Sequence, residues 1–360
     1  MKVLDLVAAY KALSSEERTL FWREMVGIVG TNQSDDNKSF EIASTVSDYR
    51  FSDGVACPHC KSETFIRHGK TKDGVQRYLC RDCGRTFTAV TNTLLSYTHK
   101  EIGVWEKYVH CMMDGMTLRK SAEECGISLR ASFFWRHKIL DCLRNMQDKV
   151  RIDGVVEADE TFFPLSFKGN HSKSRFNMPR KAHKRGGMSK DVKVCVPSAV
   201  NRIGLSVAKV GNLGTPSVES VEGVLSSHLV PNSILCTDGN VLYNRINSDI
   251  GFKKHVRIVG GKGKQGVYSI ARVNAYHGKL KTWMQRFHGV ATKYLNNYLV
   301  WNNQVNWANV TRDEKYRTML TFAIGTLANR NYDAIRKRAP IPTIYGPVSF
   351  ILSKNNNNLS

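Results

Sequence analysis

Residues 155–161 read VVEADET, and residues 233–239 read SILCTDG. In each stretch a short apolar run, typical of a buried β-strand, ends at an acidic residue, and Gly239 then lets the chain turn. Asp159 and Asp238 are 79 positions apart (238 − 159), which allows them to meet on neighbouring strands of one sheet. Carboxylates gathered in this way suit Mg²⁺, which prefers oxygen ligands. The alternative is that Asp159 is a strand-end cap and Asp238 a turn residue.

A third polar cluster lies on a helix predicted over residues 273–287. Its apolar face has residues spaced 4, 3 and 4 apart: Tyr276, Leu280, Trp283 and Phe287. Roughly opposite that face lies a polar trio, spaced 3 and 4 apart: Asn274, His277 and Lys281. The helix is therefore expected to present polar groups while its other side is anchored in a core. A histidine such as His277, taken alone, is more often a surface residue than a ligand.

Two Cys-x-x-Cys pairs with nineteen residues between them predict a zinc ribbon: Cys57 with Cys60, and Cys80 with Cys83. This spacing lets four thiolates converge in a tetrahedron around one Zn²⁺. Four protein ligands leave no open position, so the metal is structural, and it should drive the folding of so small a module. The residues expected to face DNA are Arg67, Lys70, Lys72, Arg77, Tyr78, Arg81, Arg85 and Phe87. A solvated basic face or a protein-docking module is the alternative.

Residues 117–143 predict a helix-turn-helix. Thr117 can cap a first helix, Gly126 permits the sharp turn, and Ser128 can cap a second helix. Three side chains of the second helix are expected to point into a DNA groove: Arg130, Ser132 and Arg136. The shared core is expected to contain Ala122, Cys125, Ile127, Phe133 and Ile139. An ordinary helical hairpin is the alternative.

The charge balance indicates a polyanionic partner. Lys and Arg number 53 against 31 Asp and Glu, a formal net charge of +22, which favours nucleic acid. A basic segment at residues 179–187, PRKAHKRGG, suits a phosphate-gripping loop whose DNA contacts would be Arg180, Lys181, Lys184 and Arg185. A disordered insertion is the alternative for this segment.

Nothing in the composition points to a membrane or an oxidising compartment. No run of 18 apolar residues occurs, and the cysteines number nine, an odd count that argues against a disulfide framework. Residues 1–28 predict an amphipathic helix and not a signal peptide, because Asp5 interrupts the apolar stretch. We therefore expect a cytoplasmic protein, bacterial and associated with the nucleoid.

In combination these features resemble the ISXO2-like group of bacterial insertion-sequence transposases. The resemblance covers roughly residues 51–310 and is carried, in order, by the zinc ribbon, the helical DNA-binding segment, DET at 159–161, TDG at 237–239, VNAYHGKLK at 273–281 and GVATKYLNNYLVW at 289–301. It implies an RNase-H-like catalytic domain with a DDE-type site. Asp159 and Asp238 match the first two acids. The third falls on Asn274, because the basic residue of the family pattern lies seven positions later, at Lys281.

The resemblance also implies the chemistry. Two Mg²⁺ (or Mn²⁺) ions would sit about 3.5–4 Å apart, with Asp159 bridging both and Asp238 holding one. Asn274 departs from the three-carboxylate pattern and offers only a neutral oxygen, which implies weaker metal binding. His277 would help to hold the metal or a phosphate, and Lys281 would grip the DNA backbone.

The sequence thus predicts an α+β, multi-domain protein. The resemblance implies that it cuts element ends at their terminal inverted repeats, joins them to target DNA and works as at least a dimer. The expected parts are an N-terminal helical segment and linker at 1–50, the zinc ribbon at 51–92, the helix-turn-helix at 98–147, the RNase-H-like domain (a mixed sheet with flanking helices) at 150–335, and a partly disordered tail at 336–360. Two rival hypotheses are a non-catalytic DNA-binding regulator descended from a transposase, and a metal-dependent nuclease that cleaves without joining.

Overall fold

The computed structural model describes residues 55–71, 75–169, 193–246, 252–259, 264–307, 310–325 and 331–339. The chain divides into two compact units, one formed by residues 1–146 with 310–336 and the other by residues 147–309 with 337–360. The predicted N-terminal helix, the basic segment at 179–187 with Arg180, Lys181, Lys184 and Arg185, and the tail from residue 340 lie outside the described residues. Within the described ranges, no helix combines the length and the apolar character needed to cross a membrane.

A small antiparallel sheet carries the paired cysteines in the first unit. Its strands are β1 (Phe65–Lys70), β2 (Gln76–Cys80) and β3 (Thr86–Phe87), with β2 in the middle. Phe65, Tyr78 and Phe87 form its aromatic core, with ring centroids 5.4 to 5.9 Å apart. The prediction that Tyr78 and Phe87 face DNA is therefore wrong. Their rings are the apolar surface that so small a sheet needs to bury.

Three helices follow the ribbon: α1 (Ile102–Met113), α2 (Leu118–Glu124) and α3 (Leu129–Gln147). The caps and the turn of the predicted helix pair are confirmed. Thr117 accepts a hydrogen bond from the Lys120 N–H, and Ser128 accepts one from the Ala131 N–H. Between α2 and α3, Gly126 has a φ of +57°, in the left-handed region that glycine adopts most readily.

Two of the three residues expected in the groove are instead in the core. Ser132 and Arg136 are both 0% exposed. Arg136 donates from Nη2 to the Met116 carbonyl (2.8 Å) and to Ser121 Oγ (3.0 Å), and Ser132 donates to the Leu118 carbonyl (2.9 Å). Ser132 and Arg136 are four positions apart and so share the inner stripe of α3. There they bind polar groups of the preceding chain, and the predicted contact of either side chain with a groove is wrong.

Arg130 keeps the expected outward position. Its side chain is exposed, and its guanidinium lies 4.3 Å from the ring centroid of Tyr332. Ala122, Cys125 and Ile139 are buried, as predicted for the shared core, whereas the other two predicted core residues, Ile127 and Phe133, are half-buried. The exposed side of α3 therefore includes Arg130 in its first turn, whereas the row of side chains that contains Arg136 faces the core.

The second unit contains a mixed five-stranded sheet. Its strands are β4 (Val155–Pro164), β5 (Lys193–Asn201), β6 (Ser206–Ala208), β7 (Ile234–Asp238) and β8 (Lys254–Ile258). They lie in the order β6-β5-β4-β7-β8. The central strand, β4, is antiparallel to β5 and parallel to β7, and β8 is parallel to β7. β4 does not end at its acids as predicted, because it pairs with β5 as far as Pro164.

Helices cover both faces of this sheet. They are α4 (Val218–Ser226), α5 (Ala271–Gln285) and α6 (Leu295–Val305), with 3₁₀ turns at Val241–Arg245 and Thr292–Tyr294 and a hairpin of β9 (Lys264–Gln265) and β10 (Tyr268–Ser269). Val156 and Ala158 of β4 point to the face covered by α4. The alternate residues point to the face covered by α5 and α6, where Phe163 packs with Leu280.

Two C-terminal helices belong to the first unit: α7 (Arg312–Gly325) and α8 (Tyr332–Arg336). The ring of Tyr316 on α7 stacks on His110 of α1 at 3.9 Å, and Arg312 forms an ion pair with Asp114. The described residues between 310 and 336 therefore group with the helices that follow the ribbon, whereas the sequence prediction places them in the domain that extends to residue 335.

Candidate catalytic and zinc sites

Asp159 and Asp238 lie on adjacent parallel strands. The register pairs Glu157 of β4 with Cys236 of β7, so each aspartate stands two residues beyond this last pair. β7 ends at Asp238 while β4 continues, so both aspartates lie at the level of the sheet where β7 stops. One oxygen of Asp238 accepts a hydrogen bond from the Asn240 N–H at 2.9 Å. Through this hydrogen bond Asp238 has the turn role that the sequence suggested as an alternative. The bond uses one of the two carboxylate oxygens of Asp238.

The carboxyl of Asp159 is in a setting that penalises its charge. Burial raises its pKa to about 6, and the negative charge of Asp238 acts in the same direction. The Glu160 N–H, which donates to Asp159 Oδ1 at 2.8 Å, and the positive charge of Lys281 act in the opposite direction. A buried carboxylate beside a second negative charge is stabilised by a cation placed between the two.

His277 faces this carboxylate from α5. Its Nδ1 lies 3.7 Å from Asp159 Oδ2, and its Nε2 is 2.8 Å from Ser198 Oγ. Burial, helped by the charge of Lys281, lowers the pKa of His277 to about 4. The imidazole is therefore neutral near pH 7, and its contact with Asp159 is too long for a hydrogen bond. His277 is only 7% exposed, so the surface-histidine alternative is wrong.

Ser198 is a site residue that the sequence interpretation missed. It lies on β5 directly opposite Asp159 in the antiparallel register and is 1% exposed. The sequence signal that could have identified Ser198 is a hydroxyl-bearing residue within the otherwise apolar run of β5. Its hydroxyl holds the His277 ring and fixes which nitrogen is turned toward Asp159.

The rest of the polar trio lies on the same side of α5 as His277. The predicted helix is confirmed over Ala271–Gln285. Asn274 and Lys281 are exposed, one turn before and one turn after His277. Lys281 is close enough for its charge to act on the pKa values of both Asp159 and His277. The structure therefore brings Asp159, Asp238, His277 and Lys281 together, with Asn274 on the adjoining turn.

The two glutamates beside Asp159 have separate partners. Glu160 points to the opposite sheet face and accepts a hydrogen bond from the Tyr243 hydroxyl at 2.5 Å. Burial raises the pKa of Glu160 to about 7. Glu157 shares the face of Asp159, but both its oxygens accept hydrogen bonds from the start of α5. Glu157 is therefore poorly placed to replace Asn274 as a metal ligand.

The donor set suits a hard cation. Two carboxylates and a neighbouring amide oxygen are the ligands that Mg²⁺ accepts, with water or phosphate oxygens completing its shell. In the described part of the chain, however, three or more Cys, His, Asp or Glu donors all lie within 4.8 Å of one another only at the four cysteines. Asp159, Asp238 and His277 are less tightly gathered, which fits a site completed by substrate.

The four cysteines form that compact cluster. Cys57 Sγ is 3.6 Å from Cys83 Sγ, and Cys60 Sγ is 3.6 Å from Cys80 Sγ. The Cys83 N–H, by hydrogen bonding, lowers the pKa of the Cys80 thiol to about 6. Thiolates gathered at these distances fit one structural Zn²⁺ with a closed coordination shell. The basic residues Arg67, Lys70, Arg77, Arg81 and Arg85 are exposed around this cluster.

Comparison with known proteins agrees with both sites. Residues 151–306 match the family described as the ISXO2-like transposase domain, and residues 52–84 match the InsA N-terminal domain, a zinc ribbon. The chain is also 25% identical over 263 residues to an uncharacterized protein in transposable element ISH50 of Halobacterium salinarum, a match that covers 71% of this chain and 87% of that protein. The match over residues 151–306 to the ISXO2-like transposase domain, with a zinc-ribbon match before it, agrees with the family that the sequence resembles.

Proposed function

We propose that the protein is a DNA transposase that cuts the ends of an insertion sequence and joins them to target DNA in a Mg²⁺-dependent reaction. The observation that carries this proposal is the placement of Asp159 and Asp238 on adjacent parallel strands within the matched domain. A mixed sheet with helices on both faces supports an RNase-H-like fold for residues 151–306. The relative in a transposable element supports an insertion sequence as the substrate.

We assign the residues as follows. Asp159, Asp238 and the amide oxygen of Asn274 would hold the metal. When bound, Mg²⁺ would polarise phosphoryl oxygens and raise the nucleophilicity of water or of a 3′-hydroxyl. Lys281 would bind a backbone phosphate by its charge, and neutral His277 would offer Nδ1 as a further ligand or as a proton acceptor.

DNA binding would come from separate surfaces. The net charge of +22 supports a polyanionic partner. The ribbon's exposed arginines and lysine and the outward-facing Arg130 of α3 are our candidates among the described residues. The helix pair α2–α3 would act as a helix-turn-helix through the first turn of α3. Because the reaction would use two element ends at once, the protein would act as at least a dimer, on chromosomal DNA in the cytoplasm.

The test is a reconstituted reaction on DNA carrying the gene's own flanking sequences. Wild type is compared with Asp159→Asn and Asp238→Asn, with and without Mg²⁺. We expect joined strands from wild type with Mg²⁺ and no products from either variant. Mg²⁺ should also raise the Tm of wild type, and it should do so less for Asp159→Asn. Nicks without joined strands would favour the nuclease hypothesis.

The regulator hypothesis has one observation in its favour. Asn274 supplies a neutral oxygen where the family pattern has an acid, so catalytic metal binding is weakened. A regulator would bind the flanking DNA with wild-type affinity in all three proteins and would release no products. The same reaction, read by DNA binding as well as by products, therefore separates a regulator from a transposase.

A further inference from the structure

Glu157 is the acidic residue of the site that the proposed chemistry leaves unused. Its side chain is buried, with 3% exposed, on the face of β4 that also carries Asp159. One carboxylate oxygen accepts from the Ser269 hydroxyl at 3.0 Å. The other accepts from the backbone N–H groups of Arg272 (2.7 Å) and Val273 (3.2 Å). Both oxygens are thus committed to the segment that opens α5.

The N-cap residue of helix α5 does not cap it. Ile270 occupies this position and makes no side-chain capping bond, and the neighbouring Ser269 hydroxyl accepts a long hydrogen bond, 3.4 Å, from the Ala271 N–H. The first N–H groups of a helix lack partners within the helix and carry its positive dipole end. Glu157 supplies the acceptor and the negative charge from a strand that is 115 positions away from Arg272 in sequence. It therefore joins the start of α5 directly to the strand of the first aspartate.

We propose that Glu157 is a positioning residue, which sets α5 against β4 so that Asn274 and His277 face Asp159. Asn274 directly follows Val273, whose N–H Glu157 binds, and Glu157 is two residues from Asp159. One side chain thus links both parts of the site. The inference rests on the proposed function for its catalytic consequence, and a displacement of about 1 Å in such a site costs on the order of 100-fold in rate.

The effect should fall most heavily on Asn274. His277, one turn later, is held independently by Ser198, and Leu280 is fully buried against the sheet. Asn274 is exposed and lies in the first turn, next to the N–H groups that Glu157 binds. Loss of Glu157 should therefore let the start of α5 fray while the rest of the helix stays in place.

The test compares graded variants of this contact with a cap elsewhere in the same unit. Glu157→Ala removes all three hydrogen bonds, whereas Ser269→Ala removes one of them together with the long bond that the Ala271 N–H donates to Ser269. Glu157→Gln keeps an amide oxygen for the two N–H groups and can donate to Ser269. The matched control is Ser217→Ala, because Ser217 caps α4 by accepting from the Ser220 N–H, on the other face of the sheet. Asp159→Asn serves as the inactive reference.

Two readouts are measured on the full-length protein: amide hydrogen exchange and the kcat and KM of strand joining. We expect Glu157→Ala to expose the amides of Arg272 and Val273 to exchange and to lower kcat about 100-fold, with KM for DNA within about twofold because no DNA contact is lost. Ser269→Ala should have a smaller effect, and Glu157→Gln should recover most of kcat. Ser217→Ala should lower the Tm with kcat unchanged.

Separate outcomes overturn the inference and the proposed function. Glu157 does not position the site if the Arg272 and Val273 amides stay protected from exchange in Glu157→Ala. The same conclusion follows if Glu157→Ala has the same kcat as Ser217→Ala while Asp159→Asn is inactive. If Glu157→Gln is as inactive as Asp159→Asn, Glu157 is a metal ligand and not a positioning residue. If Asp159→Asn joins strands as wild type does, the proposed function itself fails, and the hydrogen-exchange result still decides whether Glu157 holds α5.

Discussion

Replacing Arg136 should destabilise the first unit and should not act on DNA recognition directly. Its guanidinium is 0% exposed and donates to the Met116 carbonyl and to Ser121 Oγ. Arg136→Met keeps the apolar stem but removes both bonds. Each hydrogen bond from a charged donor contributes about 1.5–3 kcal/mol, so the loss of two bonds is expected to cost about 3–6 kcal/mol. At about 2–4 °C per kcal/mol for a unit of this size, the Tm should fall by at least about 6 °C.

The matched variant is Arg130→Ala on the exposed side of the same helix. It loses only a solvent-exposed contact with the Tyr332 ring, which is worth about 0.5–1 kcal/mol, so its Tm should change by about 3 °C or less. Its affinity for duplex DNA should fall about tenfold, as expected for loss of one base or phosphate contact.

Both variants are measured by thermal unfolding in the presence of Zn²⁺, and by fluorescence anisotropy with labelled DNA at one fixed salt concentration and a temperature well below either Tm. A refuting result would be an Arg136→Met protein with the wild-type Tm and a DNA affinity reduced as far as that of Arg130→Ala. Arg136 would then face the groove, and the buried stripe of α3 would be assigned incorrectly.

Three further predictions concern the two metal sites. The folded-state pKa of Asp159 is about 6, above its ordinary value of 3.8, so ionisation of Asp159 lowers the stability of the folded protein as the pH rises from 3.8 to about 6. In metal-free buffer, Asp159→Asn should therefore raise the Tm near pH 8 and have little effect on it near pH 4. Asn274→Asp adds an anionic ligand, and it should lower the Mg²⁺ concentration for half-maximal joining about tenfold; an unchanged requirement would remove Asn274 from the metal site. Cys80→Ser should lose the bound Zn²⁺ by metal analysis and the protection of the β1–β3 amides, whereas a variant that keeps both would show that Cys80 is not a ligand.

Ser198, His277 and Asp159 show why the site could be only partly derived from sequence. Residues 159–161, 237–239 and 273–281 were recognisable because each motif is local and ordered along the chain. The hydrogen bond between Ser198 and His277 joins residues 79 positions apart, and no local spacing encodes it. The same holds for the hydrogen bonds that Glu157 accepts from the start of α5, since an apolar N-cap residue does not reveal which distant side chain takes its place.

Local patterns determined much of this protein in advance. The spacing of the Cys-x-x-Cys pairs, the caps at Thr117 and Ser128, the apolar runs before Asp159 and Asp238 and the apolar periodicity of α5 are all local features of the sequence, which turn chemistry and periodicity report directly. The assignment of faces in α3 depended on tertiary structure, because a serine and an arginine look polar in sequence and yet bind Leu118, Met116 and Ser121 in the core. Tertiary structure also decided that the described residues between 310 and 336 group with the first unit and that Glu157 binds the start of α5. Burial and long-range hydrogen bonds are properties of the folded chain, since a polar residue can be buried wherever its partners are brought to it.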